Sequence, residues 1–335
     1  MAHHLEQTAD LGEGELLSRI FPRLGGPRAL LGPGDDAAVL AAPDGRTAIS
    51  IDTLVQDQDF RLQWPGGYRT TGYDVGWKCA AQNLSDINAM GAAATSLVVS
   101  LTLPADTPVT WLEGLADGLS AALGALGAAD CAVAGGDLGR GGQLVVTAAV
   151  TGDLQGRKPV LRSGARPGDV LAVGGVLGEA AAGLALLESA LDYVQLNGRE
   201  RALTAAQSRP CPPLAFGPAA AAAGVRAMMD ISDGLVRDAG RMAAASGVRI
   251  DLDPDVLRAE AESLADTASK LGADPLHWVL GGGEDHGLLA AFSPGEDLPR
   301  GFRRVGNARE ENSGAGLVTL GGREPAASGW DHFGG

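Results

Sequence analysis

Cysteine is scarce: Cys79, Cys131 and Cys211 are the only three in 335 residues. They are odd in number, far apart and free of CxxC spacing, which argues against a disulfide framework and for a reduced, cytoplasmic setting. The histidines, His3, His4, His277, His286 and His332, make no HxxxH pair, so a zinc centre is not expected. No 18-residue stretch is strongly apolar; the nearest, Gly118 to Gly136, is mostly Ala and Gly and carries Asp130. A membrane span is therefore not expected, and the N-terminus lacks the basic-then-apolar layout of a signal peptide. Positive charge is short as well, 26 Lys and Arg against 41 Asp and Glu, for a formal charge of -15 with no basic block to offset it. Nucleic acid and anionic membrane surfaces are poor partners for such a chain. The GxxxxGK[ST] pattern of a P-loop is missing too.

What the chain does have is length for two cores and a regular alternation of apolar periods. "LVVSLTL" (97–103) and "QLVVTAAVTGD" (143–153) alternate with the period of strands. Between them, Trp111, Leu115, Leu119, Leu123 and Leu126 recur at helical spacing. The Gly, Pro and basic residues of "LQGRKPVLRSGARPGD" (154–169) interrupt the pattern, and a strand, "DVLAVGG", and an Ala/Leu helix follow. The reading is an α/β (α+β) chain of two domains, residues 1–157 and 158–335. "NLSDINAMGA" (83–92) and "DISDGLVRDAGRMA" (230–243) each run from Ser-Asp into an apolar helical pattern. Each is expected to present a carboxylate at a helix N-terminal region, a faint hint of an internal repeat.

Acidic residues recur beside glycines and strand ends: Asp35 and Asp36 in "GPGDDAAVL", Asp52 closing "TAISID", Asp86, Asp137 in "AGGDLGRG", Asp230 and Asp233 in "DISDG", and Glu284 and Asp285 in "GGGEDHG". A single Asp of this kind is ordinarily a turn or N-cap residue. Caps alone do not explain why acids recur where Ser, Asn or Thr would serve. Oxygen donors from several loops suit a hard cation such as Mg²⁺, with a substrate phosphate completing its shell.

The motifs "GPGDDAAVL", "ISIDTLV", "GWKCAAQNLSDINAMGA", "AGGDLGRG", "MDISDGLVRDAGRMAAASGV", "GGGEDHGLL" and "GWDHF" occur in the order of a known family. Through them the chain resembles the thiamine-monophosphate kinase family of the aminoimidazole ribonucleotide synthetase-like superfamily, over about residues 16 to 333. The resemblance implies a two-domain fold whose N-terminal domain forms a β-barrel across a homodimer interface. It implies transfer of the γ-phosphoryl group of ATP onto thiamine monophosphate, assisted by several Mg²⁺ ions and without covalent catalysis. By that resemblance Asp36, Ser50, Ile51 (through its carbonyl), Asp52, Asp86, Asp137, Asp230 and Asp233 fall at magnesium ligands. Gly136, Asp137, Arg162 and Ser232 fall at nucleotide contacts, and Glu284 and Trp330 at contacts to thiamine, while Asp35 forms the turn.

Several positions depart from the family pattern. Asp59 stands where a histidine is usual, Ile51 where a threonine is, Leu138-Gly139 where two threonines are, and His286-Gly287 replace Tyr-Glu. These losses touch affinity and fine substrate choice more than reaction class. Arg162 could be a solvated linker charge, Trp330 could pack over a domain edge, and Asp233 could be a plain helix N-cap. Another ATP-using enzyme of the superfamily, or a nucleotide-binding regulatory protein with impaired chemistry, stays open beside the kinase reading.

Overall fold

The computed structural model describes residues 6–11, 13–23, 41–311, 317–326 and 329–330. Asp35 and Asp36, with their Gly-Pro-Gly loop, lie outside the described residues. After a short helix α1 (Glu13–Ile20), the first half builds a four-stranded sheet and two long helices. These are β1 (Ala48–Val55), α2 (Gly72–Ala89), β2 (Ala93–Leu103), α3 (Val109–Ala125), β3 (Ala132–Arg140) and β4 (Val145–Asp153). The sheet order is β1-β4-β2-β3, antiparallel except for the parallel β2/β3 pair.

The alternation read in the sequence is the alternation of the two sheet faces. Leu97, Leu101, Val146, Ala148 and Val150 are buried beneath α2 and α3. Ile49, Ile51 and Val98, on the other face, are 71%, 64% and 45% exposed. Helix α2 starts on a reciprocal cap, Thr71 Oγ1 accepting from Asp74 N and Asp74 Oδ2 from Thr71 N. It packs tightly on α3 because Gly76 has no side chain: a Cβ there would sit 2.1 Å from the Leu115 carbonyl oxygen.

The second half contains β5 (Val170–Gly174), α4 (Glu179–Glu188), α5 (Gly198–Ser208), α6 (Phe216–Ala222), β6 (Ala227–Asp230), α7 (Leu235–Ser246), β7 (Val248–Leu252), α8 (Pro254–Glu262), α9 (Ala265–Leu271), α10 (Pro275–Gly281), β8 (Leu288–Phe292), β9 (Phe302–Glu310) and β10 (Val318–Leu320). They form a six-stranded mixed sheet of order β10-β7-β9-β5-β8-β6. Both of its faces are covered, which is why "LLAAF" is apolar at every position. Leu289 and Ala291 join one core with Leu235, Leu257 and Val279 of the helices, while Leu288, Ala290 and Phe292 join another with Ala220 of α6 and Ala89 of α2.

Three sequence expectations change here. Asp86 lies near the C-terminal end of α2, not at a helix N-terminal region, so "NLSD" and "DISDG" occupy different places and are not a repeat. Asp52 is inside β1, which runs on to Val55. "AGGDLGRG" does not mark a strand end: as far as Arg140 it lies within strand β3, because the edge of β2 offers it a parallel ladder. Gly136 permits that pairing, since a Cβ on it would lie 2.0 Å from the Val99 carbonyl oxygen. The described residues contain no barrel; a single chain shows an open sheet with one bare face.

Candidate active site

The edge strand β1 of the first sheet and the edge strand β6 of the second meet at α2, and the acidic residues collect there. On β1, Ser50 and Asp52 face α2, and Ser50 Oγ donates to Asp86 Oδ2 at 2.5 Å. One residue earlier on α2, Ser85 Oγ donates to Asp230 Oδ2 at 3.0 Å, tying the first half of the chain to the end of β6. The buried His286 ring meets the same Asp230 oxygen through Nδ1 at 3.3 Å.

Burial, with the crowding of like charges added to it, makes Asp52 and Asp86 weaker acids than usual. Burial, then the charges of Asp230 and Asp52, push Asp86 up to about 7. Burial likewise pushes Asp52 up, with Asp230 and Asp59 adding to it and His286 opposing. Burial pulls His286 down, but the hydrogen bond and charge of Asp230, with Glu284 and Asp52, outweigh it and hold the imidazole above its usual value. Among the described residues, no lysine or arginine is among the charges that offset Asp52 or Asp86.

Such a set fits a hard divalent cation. The donors are carboxylate and hydroxyl oxygens short of positive charge, and Asn83 Oδ1, buried one turn before Asp86, has no hydrogen-bond partner. Among the described residues, no three His, Cys, Asp or Glu side chains already close around one point. The acids line a wall rather than form a cage, as befits an ion that keeps water and takes phosphate oxygens as ligands.

Two loops complete the wall. The β6–α7 loop carries Ser232 and Asp233, and the α10–β8 loop carries Glu284, Asp285 and His286. Backbone bonds join them: Glu284 N donates to Ser232 O at 2.9 Å and Ile231 N to Gly287 O at 2.7 Å. Trp330 N donates to Asp233 O at 2.9 Å, which puts Trp330 beside the same loop with its indole exposed. Asp233 is not a cap: α7 takes Gly234 at its N-cap with no side-chain bond, and the Asp233 carboxylate pairs with Arg241 at 2.6 Å. Asp238, pushed up to about 6 by burial, accepts from Asp233 N and also pairs with Arg241.

The remaining expected residues are dispersed. Register places Asp137 in a row with Ser100, Thr147 and Thr53, on the bare face of the sheet. Asp52 points to the helix-covered face, three strands and about 14 Å away. Within one chain Asp137 therefore does not join the acidic wall, and Gly136 lies at the same far edge. Arg162 is exposed beside β6, where its neighbour Leu161 O accepts from Met228 N at 2.9 Å. Asp285 has a fold role: buried, it accepts from Gly178 N and Ala180 N at the start of α4, and burial pushes it up to about 7. Asp59 spends its carboxylate on its own turn, accepting from Val55 N at 2.7 Å.

Two residues that sequence reasoning passed over touch Glu284. Lys78, almost fully buried on α2, reaches Glu284 Oε1 at 2.6 Å, and Gln207 of α5 donates to Oε2. Burial would raise the Glu284 carboxyl, but Lys78 overrides it and holds the group below the usual range. A lone lysine on the apolar face of a helix was the available signal for Lys78. Nothing in the sequence marked Gln207. Both also line a small cleft walled by Phe60, Trp64, Thr70 and Leu187.

Family models of AIR synthase related proteins match the chain twice, the N-terminal domain over residues 34–154 and the C-terminal domain over residues 166–320. A thiamine-monophosphate kinase of Mycobacterium tuberculosis is 46% identical over 327 residues, 97% of this chain and 92% of that protein. Among solved structures, AaThiL complexed with AMPPCP and TMP superposes with a TM-score of 0.75 at 29% identity, covering 97% of this chain and 98% of that one. The thiamine-monophosphate kinase of Stenotrophomonas maltophilia does so with a TM-score of 0.75 at 31% identity, covering 96% and 99%.

Proposed function

The chain belongs to the thiamine-monophosphate kinase family of the AIR synthase related proteins, and from that premise we propose that it transfers the γ-phosphoryl group of ATP directly onto the phosphate of thiamine monophosphate. The observation that carries this reading is the wall of Asp52, Asp86 and Asp230 at the junction of the two sheets. ATP and a phosphate monoester together carry about six negative charges, and they cannot approach in line until those charges are neutralised. Several magnesium ions, when bound, supply that neutralisation and orient the phosphates.

The protein's own groups hold and align. Ser50, the Ile51 carbonyl, Asp52, Asp86, Asp230 and Asp233 would hold the metals, together with Asp36 by resemblance. Arg162 and Ser232 would meet phosphate oxygens, the arginine through its planar fork. The acceptor phosphate is already ionised, so no general base is required: its oxygen bonds to the γ-phosphorus as the bond to the β-phosphate oxygen breaks, releasing ADP and thiamine diphosphate. Glu284 would accept from or pair with the cationic thiamine moiety, and Trp330 would stack on it.

The bare face of the first sheet, with Ile49, Ile51 and Val98 exposed, supports a homodimer closed over that face as the barrel of the resemblance implies. Gly136 and Asp137 lie on that surface or its edge, and we assign their nucleotide and metal roles to the assembled dimer. Among the described residues no helix is long and apolar enough to cross a membrane, and with three scattered, unbridged cysteines the cytoplasm is the compartment we propose.

The test is chromatographic measurement of thiamine diphosphate formed from ATP, Mg²⁺ and thiamine monophosphate. Product in one-to-one ratio with ADP is expected. ATP binding without product would point instead to a regulatory nucleotide-binding protein.

A further inference from the structure

Glu284 is held from both halves of the chain. Lys78 comes from α2 and Gln207 from α5, each taking a different carboxylate oxygen, while Lys78 Nζ also donates to the Asp59 carbonyl at 3.1 Å. Lys78 is 3% exposed, so its charge is balanced by what it touches and not by water. The Glu284 side chain by contrast is 32% exposed. An ionised carboxylate has about four acceptor positions. Lys78 and Gln207 take one position on each oxygen, and the side chain keeps part of its surface in solvent. A pair serving only the fold would be closed off. Glu284 also holds a backbone φ of +67°, costly for a residue with a side chain, and its N–H is fastened to Ser232 O. Strain kept in this way, by surroundings that fix both ends of the residue, is a mark of a group whose position matters.

We propose that Lys78 and Gln207 are positioning residues for the kinase reaction, clamping the Glu284 carboxylate so that its remaining acceptor positions meet the thiamine moiety of the substrate. This rests on Glu284 being a substrate contact, as read above. Lys78 and Gln207 need not touch substrate: they set where the carboxylate points and keep it anionic, which favours a cationic thiazolium or an amino N–H donor over neutral analogues. Because α2 and α5 belong to opposite sides of the seam, the clamp also makes the geometry of this contact depend on the two halves being docked.

A double-mutant cycle tests it. The dissociation constant of thiamine monophosphate is measured by calorimetry for Lys78→Met, Glu284→Gln and the double variant, with the KM for ATP and the melting temperature alongside. Each single change is expected to weaken thiamine monophosphate binding about tenfold or more, the double no further than Glu284→Gln alone, with the KM for ATP within about twofold of the parent. Lys78→Arg, which keeps the cation, recovers most of the loss. Lys78→Met leaves the Glu284 carboxylate without its cation; should it fail to fold, Gln207→Leu in the same cycle gives the same comparison. Additive losses, or unchanged binding in Lys78→Met, overturn the positioning role while leaving Glu284 as a contact. Unchanged binding in Glu284→Gln overturns the substrate-contact reading itself.

Discussion

Asp86→Asn should make the metal-free protein more stable at pH 8 while abolishing its Mg²⁺-dependent turnover. Burial and the charges of Asp230 and Asp52 lift the Asp86 carboxyl from 3.8 to about 7. A fully enclosed carboxyl shifted that far would cost about 4 kcal/mol to keep ionised. Ser50's hydrogen bond and partial access to solvent screen it, so about 2 kcal/mol is the working figure. A folded-state value above the unfolded one means the native state is most favoured with the proton on. Well below pH 4 both states are protonated and no penalty exists; it grows as pH rises through 4 to 7 and is complete by pH 8. Asparagine keeps an oxygen to accept from Ser50 and has no charge to repel. In EDTA, the variant should therefore melt above the parent by a few degrees at pH 8 and by much less at pH 4.5. Mg²⁺ should raise the parent's melting temperature at pH 8 and do so much less for the variant. Calorimetric melting across pH, with and without Mg²⁺, reads all of this. A variant that melts no higher than the parent at pH 8 in EDTA, or one that gains equally at pH 4.5, refutes the picture of an uncompensated acidic wall.

Asp233→Asn should lower the melting temperature only slightly, because the helix start does not use its carboxylate and Arg241 keeps its pair with Asp238, yet raise the Mg²⁺ requirement and slow turnover on the order of 10²-fold; parental kinetics at every Mg²⁺ concentration would remove it from the metal set. A thiol reagent should label Cys211 alone in the native protein without loss of activity, since Cys79 and Cys131 are buried with thiols pushed up to about 12; inactivation by that labelling would place a thiol in the mechanism. Ile51→Glu puts a charge on the bare sheet face, where the side chain is 64% exposed, and should convert a dimer to monomers in light scattering with the monomer fold intact by circular dichroism; an unaltered oligomer would locate the interface elsewhere.

Much of the site was legible in the order of residues because its chemistry is local. Asp230, Ser232 and Asp233 sit in one short stretch, Glu284 stands beside glycines in another, and Asp52 closes "TAISID". Strand periods follow from the pleat and helix periods from the turn, so β2, α3, β4, β5 and α4 could be read from apolar spacing alone. What could not be read is which elements become neighbours. That β1 and β6 are both edge strands meeting at α2, that Asp137 lies three strands from Asp52 on the opposite face, that Asp285 caps α4, and that Asp233 answers to Arg241 all depend on sheet order and register. So does the clamp on Glu284, whose members are 206 and 77 residues apart from it along the chain by position. Side-chain chemistry is a property of the residue and is written in the sequence; the loss of solvent and the company of other charges, which turn three ordinary aspartates into a group in want of cations, arise only when distant segments close over them.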